Sequence, residues 1–220
     1  MVKAWGVMGA LLVSLAGASA AVGNDSAPVH TNASGVVTGA VPGGGDRPVV
    51  PSARQTSASL KEIYSNFNSD REILYDMHTG LAVSSKESNL GSYLVGMPFT
   101  PAEDSNVRKI ILAITHFRGT NSLNISLRAD ANGLPGDILA RFVVNDMAEF
   151  GTCCETVVLH AEGIPVVAGT QYWVVARAVG DANNAWNINS LRMEGPVAHK
   201  HDAGWYITTD NVGAFRVLGD

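Results

Sequence analysis

The sequence has little cysteine and little charge. It holds 220 residues with only 2 Cys, 15 Lys+Arg and 20 Asp+Glu, a formal net charge of −5. Charged residues make up 16%, well under the roughly 25% of an average soluble domain. Two cysteines cannot build a disulfide-dense scaffold or a four-Cys zinc site. An acidic chain without a Lys/Arg cluster is a poor match for nucleic acid. No apolar run of 18 residues exists beyond the N-terminus, so no later segment reads as a membrane-spanning helix. Neither a Gly-x-Ser-x-Gly elbow nor a Gly-rich phosphate loop is found, and no cofactor motif is present.

What the chain has in quantity is small and β-branched residues, 23 Gly among them. The N-terminus opens with Lys3, an apolar stretch from Ala4 to Gly17, and Ala18-Ser19-Ala20. A positive start, an apolar centre and a small-x-small end are the parts of a secretory signal peptide. Ala18 and Ala20 fit a cleavage pocket that admits only small side chains. The expected signal is therefore residues 1–20, cleaved after about Ala20. The apolar stretch is short of the roughly 20 residues needed to span a bilayer.

Residues 21–59 are Ala, Val, Gly, Ser, Thr and Pro, with Pro42-Gly43-Gly44-Gly45 and Pro48-Val49-Val50-Pro51. Gly and Pro oppose regular structure, and few large apolar side chains are present to offset ordering entropy. The expectation is a disordered linker. Asn24, Asn32 and Asn124 each begin an Asn-x-Ser/Thr triplet, which accepts a glycan only in a eukaryotic host.

Residues 60–220 read as one domain built of strands. Leu123, Ile125 and Leu127 alternate with Asn124, Ser126 and Arg128, the period of a half-buried strand. Ile110, Leu112 and Ile114 repeat the pattern. Further runs lie at 138–144, 156–160, 171–179, 184–191, 205–208 and 214–218. Turn chemistry separates them, above all Asp130-Ala131-Asn132-Gly133. Only Ser69 to Met77 has helical composition, and it lacks a sustained 3.6-residue period. The expected fold is all-β: a jelly-roll-like antiparallel β-sandwich.

Several short motifs follow one another in order: Ile63-Tyr64-Ser65-Asn66, Pro98-Phe99-Thr100-Pro101, Asn132-Gly133-Leu134-Pro135-Gly136 and Phe150-Gly151-Thr152-Cys153-Cys154. Ala168-Gly169-Thr170-Gln171-Tyr172-Trp173, Ala185-Trp186-Asn187 and Gly213-Ala214-Phe215 complete the series. In this order they resemble the bacterial choice-of-anchor R extracellular domains, many of which carry a C-terminal sorting tail such as the PEP-CTERM type. The resemblance spans about residues 62–219. It implies a secreted or surface β-sandwich and carries no assigned activity. The chain ends at Asp220 without a hydrophobic tail, so release is expected rather than anchoring.

Cys153 and Cys154 are adjacent. Neighbouring Cα atoms lie about 3.8 Å apart, below the usual disulfide span of about 4.4–6.8 Å. A strained vicinal disulfide, two free thiols and an interchain bridge all remain open. His199 and His201 share one face if extended, but the neighbouring Gly and Pro favour a solvated loop over a metal site. Asp130, Asn132 and Gly133 fit turn formation better than a calcium loop.

Trp173, Trp186 and Trp205 bear most on binding. Exposed Trp stacks on sugar rings while Asn side chains read hydroxyls. The candidate ligand set is Trp186, Asn187, Asn189 and Trp205, with extracellular polysaccharide or another surface polymer as partner. Alternation along Trp186-Asn187-Ile188-Asn189 places Trp186 with Ile188, which favours a core position for Trp186, and Trp173 reads the same way. No catalytic residue, metal ligand or cofactor is assigned. A structural or matrix component is the alternative reading. A hydrolase is a weaker one, because sequence spacing cannot show the separation of carboxylates in space.

Overall fold

The computed structural model describes residues 12–14, 59–68 and 73–220. Their regular structure is entirely strand. In chain order the strands are β1 (Leu12–Ser14), β2 (Lys61–Ser65), β3 (Tyr75–Ser84), β4 (Leu94–Phe99) and β5 (Ser105–Leu112). Then come β6 (Ile114–Arg118), β7 (Ser122–Asp130), β8 (Pro135–Asn145), β9 (Val157–Val166) and β10 (Tyr172–Ala178). The last four are β11 (Asn183–Asn189), β12 (Glu194–His201), β13 (Gly204–Asn211) and β14 (Phe215–Gly219).

They form three antiparallel sheets. One has the order β1-β3-β11-β6, a second β2-β14-β5-β9, and the third, with six strands, β13-β12-β4-β10-β7-β8. The two four-stranded sheets meet at Ala113, the single residue between β5 and β6. Its amide donates to the Ala214 carbonyl and its carbonyl accepts from the Asn187 amide. One apolar core joins side chains of all three sheets, including Leu81, Trp186, Ile110, Phe215, Leu127 and Val174. Each fully buried aliphatic side chain in it contributes about 1.5–3 kcal/mol. The architecture is an antiparallel β-sandwich.

Period-2 alternation accounts for the six-stranded sheet. On β10, Tyr172, Val174, Ala176 and Ala178 enter the core, which sends Trp173, Val175 and Arg177 to the opposite face. On β7, Leu123, Ile125 and Leu127 point inward, and Asn124, Ser126 and Arg128 outward. On β8, Leu139, Arg141 and Val143 are exposed between partly buried neighbours. The β7–β8 connection carries Asn132 at φ 57° and Gly133 at φ 80°, the positive values that Asn-Gly tolerates.

All six of the later runs expected from sequence fall on strands β8 to β11, β13 and β14. Strands β2, β3, β4 and β12 were not among them. The segment of helical composition enters β3 at Tyr75, and its residues 69–72 lie outside the described residues. Of the expected signal segment, Leu12–Ser14 form β1, paired with Leu81, Gly80 and Thr79 of β3. The rest of residues 1–20, Ala18 and Ala20 included, and residues 21–58 of the expected linker lie outside the described residues. Among the described residues no helix is long and apolar enough to cross a membrane.

Candidate functional site

Three of the four residues singled out as a ligand set are inside the protein. Trp186, Asn187 and Asn189 are each 0% exposed, so they have no surface to offer. The Trp186 indole N–H donates to the Ala214 carbonyl at 3.1 Å. Asn187 accepts from the Thr115 hydroxyl at 2.8 Å and donates to the Asp76 carbonyl at 3.0 Å. Asn189 donates to the Val212 carbonyl at 3.0 Å and accepts from the Met193 amide at 2.9 Å. Asn187 thus ties β11 to β3 and β6, and Asn189 ties it to Met193 and Val212, just before β12 and β14; buried amides need such partners. Both faces of β11 are covered, so alternation could not put its asparagines in solvent. Trp205 alone of the four is partly exposed.

Trp205 belongs to the outer face of the six-stranded sheet. Register places it opposite Lys200, and Lys200 opposite Leu94. The Lys200 ammonium lies 5.7 Å from the Trp205 ring centroid, a cation–π distance. Trp205 packs on a small apolar cluster of Trp173, Val175 and Ala198, separate from the main core. Gly96 permits this packing, since a Cβ there would lie 3.2 Å from Val175 and 3.4 Å from Ala198. Trp173 is 1% exposed. It serves as floor, with its indole N–H donating to Asp130 Oδ1 at 2.7 Å.

Across β10, β7 and β8 the same face turns cationic. Asn124 pairs with Arg177 on one side, and Ser126 with Arg141 on the other. Arg128 curls along its own strand. Its Nε donates to the Ser126 hydroxyl at 3.0 Å and its Nη1 to the Gly136 carbonyl at 3.1 Å. Burial, and then the nearby Arg141 and Arg177 charges, lower the Arg128 pKa. A groove of about 600 Å³ is lined by Asn124, Arg128, Arg177, Lys200 and His201 among others. A smaller one of about 270 Å³ adjoins it and brings in Arg141, Ser126 and Val143.

Asp130 anchors the end of this face. Burial raises its pKa, but hydrogen bonds from the Gly133 amide, Trp173 and Gln171 outweigh that and hold its carboxyl below the usual carboxylate range. Its partners identify it as a turn and packing residue.

The other sequence-derived candidates fall elsewhere. His199 and His201 stand on β12, not on the solvated loop expected from Gly and Pro nearby. Both stack on Tyr206, with ring centroids 5.4 and 5.7 Å apart. Among the described residues no group of three or more His, Cys, Asp or Glu converges as a metal site. The sulfurs of Cys153 and Cys154 are joined to each other. Cys154 packs beside Tyr75 and Phe67. The Tyr75 hydroxyl donates to the Glu155 carbonyl at 2.9 Å, with the Thr152 carbonyl at 3.2 Å.

No protein-family model, curated protein or solved structure matches the chain.

Proposed function

We propose that the protein is an exported, non-catalytic β-sandwich module that holds an extracellular polysaccharide or another surface polymer. The signal-like N-terminus and the choice-of-anchor R resemblance support export. The observation that carries the binding reading is the outer face of the six-stranded sheet. There a partly exposed Trp205 stands on an apolar floor, beside grooves lined by polar and cationic side chains. An indole face stacks on a sugar ring, and the grooves that run from Trp205 across neighbouring strands suit an extended chain.

The test is retention of the exported protein on a panel of insoluble polysaccharides, beside Trp205→Ala. Retention lost in the variant supports the reading. Equal retention of both forms, or none across the panel, removes it. Sequencing the N-terminus of protein recovered from the medium tests export, with Ala21 expected first.

A second reading is assembly through sheet edges. It is favoured by β8 and β9, edge strands of their sheets, which expose Val143 at 68% and Val158 at 45%. Unpaired strand edges with apolar side chains invite pairing with another chain. Concentration-dependent growth in size-exclusion chromatography, abolished by Val143→Lys, supports it. A monomer at all concentrations removes it.

A further inference from the structure

The outer face of the six-stranded sheet is positive on a chain that is negative. The two adjoining grooves hold Lys86, Arg128, Arg141, Arg177 and Lys200. Their carboxylates are Glu87 and Asp202, both in the larger groove. The formal charge of the whole chain is −5. A face with this excess of cations is therefore a local reversal of sign.

Four other cations of the domain stand in ion pairs. Arg192 pairs with Asp76, Arg108 with Asp220, Arg216 with Glu62 and Lys61 with Glu103. None of these ion pairs involves Arg128, Arg141, Arg177 or Lys200. The hydrogen bonds of Arg128 go to a hydroxyl and a carbonyl, which are neutral. Glu87 is exposed.

Sheet geometry concentrates these charges. Adjacent strands lie about 4.8 Å apart, and Arg141, Arg128 and Arg177 come from the neighbouring strands β8, β7 and β10. Arg141 and Arg177 flank the strand of Arg128 from either side, and like charges gathered on one face repel. A bound anion relieves that repulsion and accepts the bidentate donors a guanidinium presents. Ser126 and Asn124 lie between the arginines and add neutral polar groups suited to hydroxyls. The larger groove, about 600 Å³ and lined by Arg128 and Arg177, falls within the roughly 300–1,000 Å³ of ligand sites, and Arg141 lies in the smaller groove that adjoins it.

We propose that the two adjoining grooves, which together bear Arg128, Arg141 and Arg177, bind the acidic groups, carboxylate or sulfate, of an anionic polysaccharide whose sugar rings run on toward Trp205. The proposal rests on the reading of this face as a polymer-binding surface and names the ligand class for it. Repeating negative charge along a polymer matches a row of cations across strands better than a single small anion does.

The experiment uses the mature chain in affinity electrophoresis and calorimetry. Its probes are polygalacturonate, dextran sulfate, unmodified dextran and double-stranded DNA. Arg141 and Arg177 are exposed, so Arg141→Ala/Arg177→Ala is expected to fold as the parent does. Circular dichroism and the urea midpoint check this. The expected result is binding to an acidic polysaccharide at least tenfold tighter than to dextran. The double variant should lose at least tenfold of that affinity, and salt should weaken binding in the parent more than in the variant.

Preference for polygalacturonate assigns the site to uronate carboxylates, and preference for dextran sulfate assigns it to sulfate esters. Either supports the proposal. DNA bound more tightly than both acidic polysaccharides overturns it, as does an unchanged affinity in a folded double variant. Dextran bound as well as polygalacturonate, with sensitivity to Trp205→Ala, overturns the anion proposal while the polymer reading stands. No binding to any probe overturns this proposal, and the insoluble panel then decides the polymer reading separately.

Discussion

The Trp173 indole N–H donates to Asp130 Oδ1 at 2.7 Å, tying the middle of the six-stranded sheet to the turn between β7 and β8. The carboxylate also receives Gln171 at 2.8 Å and the Gly133 amide at 2.9 Å. Replacing Trp173 by Phe keeps most of the ring and removes one donor. A hydrogen bond to a charged group is worth about 1.5–3 kcal/mol, so the variant should lose about that at pH 7. Asp130 titrates below its ordinary value in the folded protein. Its contribution is present above the unfolded carboxylate pKa of about 3.9, and is lost as pH falls through the lower folded value. Urea midpoints should therefore differ at pH 7 and converge toward pH 2. A gap of equal size at both pH values sinks this account.

His199 supplies a second pH dependence with the same sign at a higher pH. It is 4% exposed, and its Nε2 lies 3.0 Å from the Thr208 hydroxyl. Tyr206 stacks on it. Burial lowers its pKa, the neighbouring Asp210 opposes that, and His201 adds to the lowering. A depressed histidine pKa contributes stability that is full above the unfolded value of about 6.5, and is lost as pH falls through the folded value. The parent should lose more stability between pH 7.5 and 5 than His199→Gln does. Parallel pH curves for the two proteins would show that His199 does not carry the dependence.

The strands of this fold were legible because their alternation is local. Leu123, Ile125 and Leu127 announce an inward face without knowledge of any partner. What was not legible was which outward face another element covers. Asn187 and Asn189 alternate with Trp186 and Ile188 as solvent-facing residues would, yet they are enclosed, because β11 is packed on both sides. Their role emerges only when the carbonyls of Asp76 and Val212 arrive from distant parts of the chain. The cationic groove was illegible for a similar reason. Arg128, Arg141 and Arg177 form no cluster in sequence, and pairing of β8 with β7 and of β7 with β10 is what gathers them. Trp205, named from sequence only as one of three tryptophans, is the one of them left partly exposed.

Tyr75 holds the loop of the paired cysteines. Its hydroxyl reaches the Glu155 carbonyl at 2.9 Å from a ring that is fully buried. Tyr75→Phe removes the donor and leaves that carbonyl to find water. A cost of about 0.5–1.5 kcal/mol is expected, the net worth of one hydrogen bond whose acceptor sits on an exposed residue. Because the loss is local, residues 152–155 should also become the first site of proteolysis. An unchanged urea midpoint with an unchanged cleavage pattern would mean the hydroxyl does not restrain the loop.

Gly213 and Trp186 test how tightly the core is closed. A Cβ at Gly213 would lie 2.6 Å from Trp186 Cδ1 and 2.7 Å from Nε1, closer than carbon atoms can pack. The indole cannot swing away easily, since it is fully buried and bonded to the Ala214 carbonyl at 3.1 Å. Gly213→Ala should therefore destabilise by about 1–3 kcal/mol through overpacking. Trp186→Phe should destabilise on its own by losing ring volume and the indole hydrogen bond. In the double variant the smaller ring makes room for the added methyl, so the combined loss should be less than the two losses added. A double-mutant cycle in urea measures this coupling directly. Simple additivity would show that the methyl is accommodated elsewhere and that Trp186 does not dictate glycine at position 213.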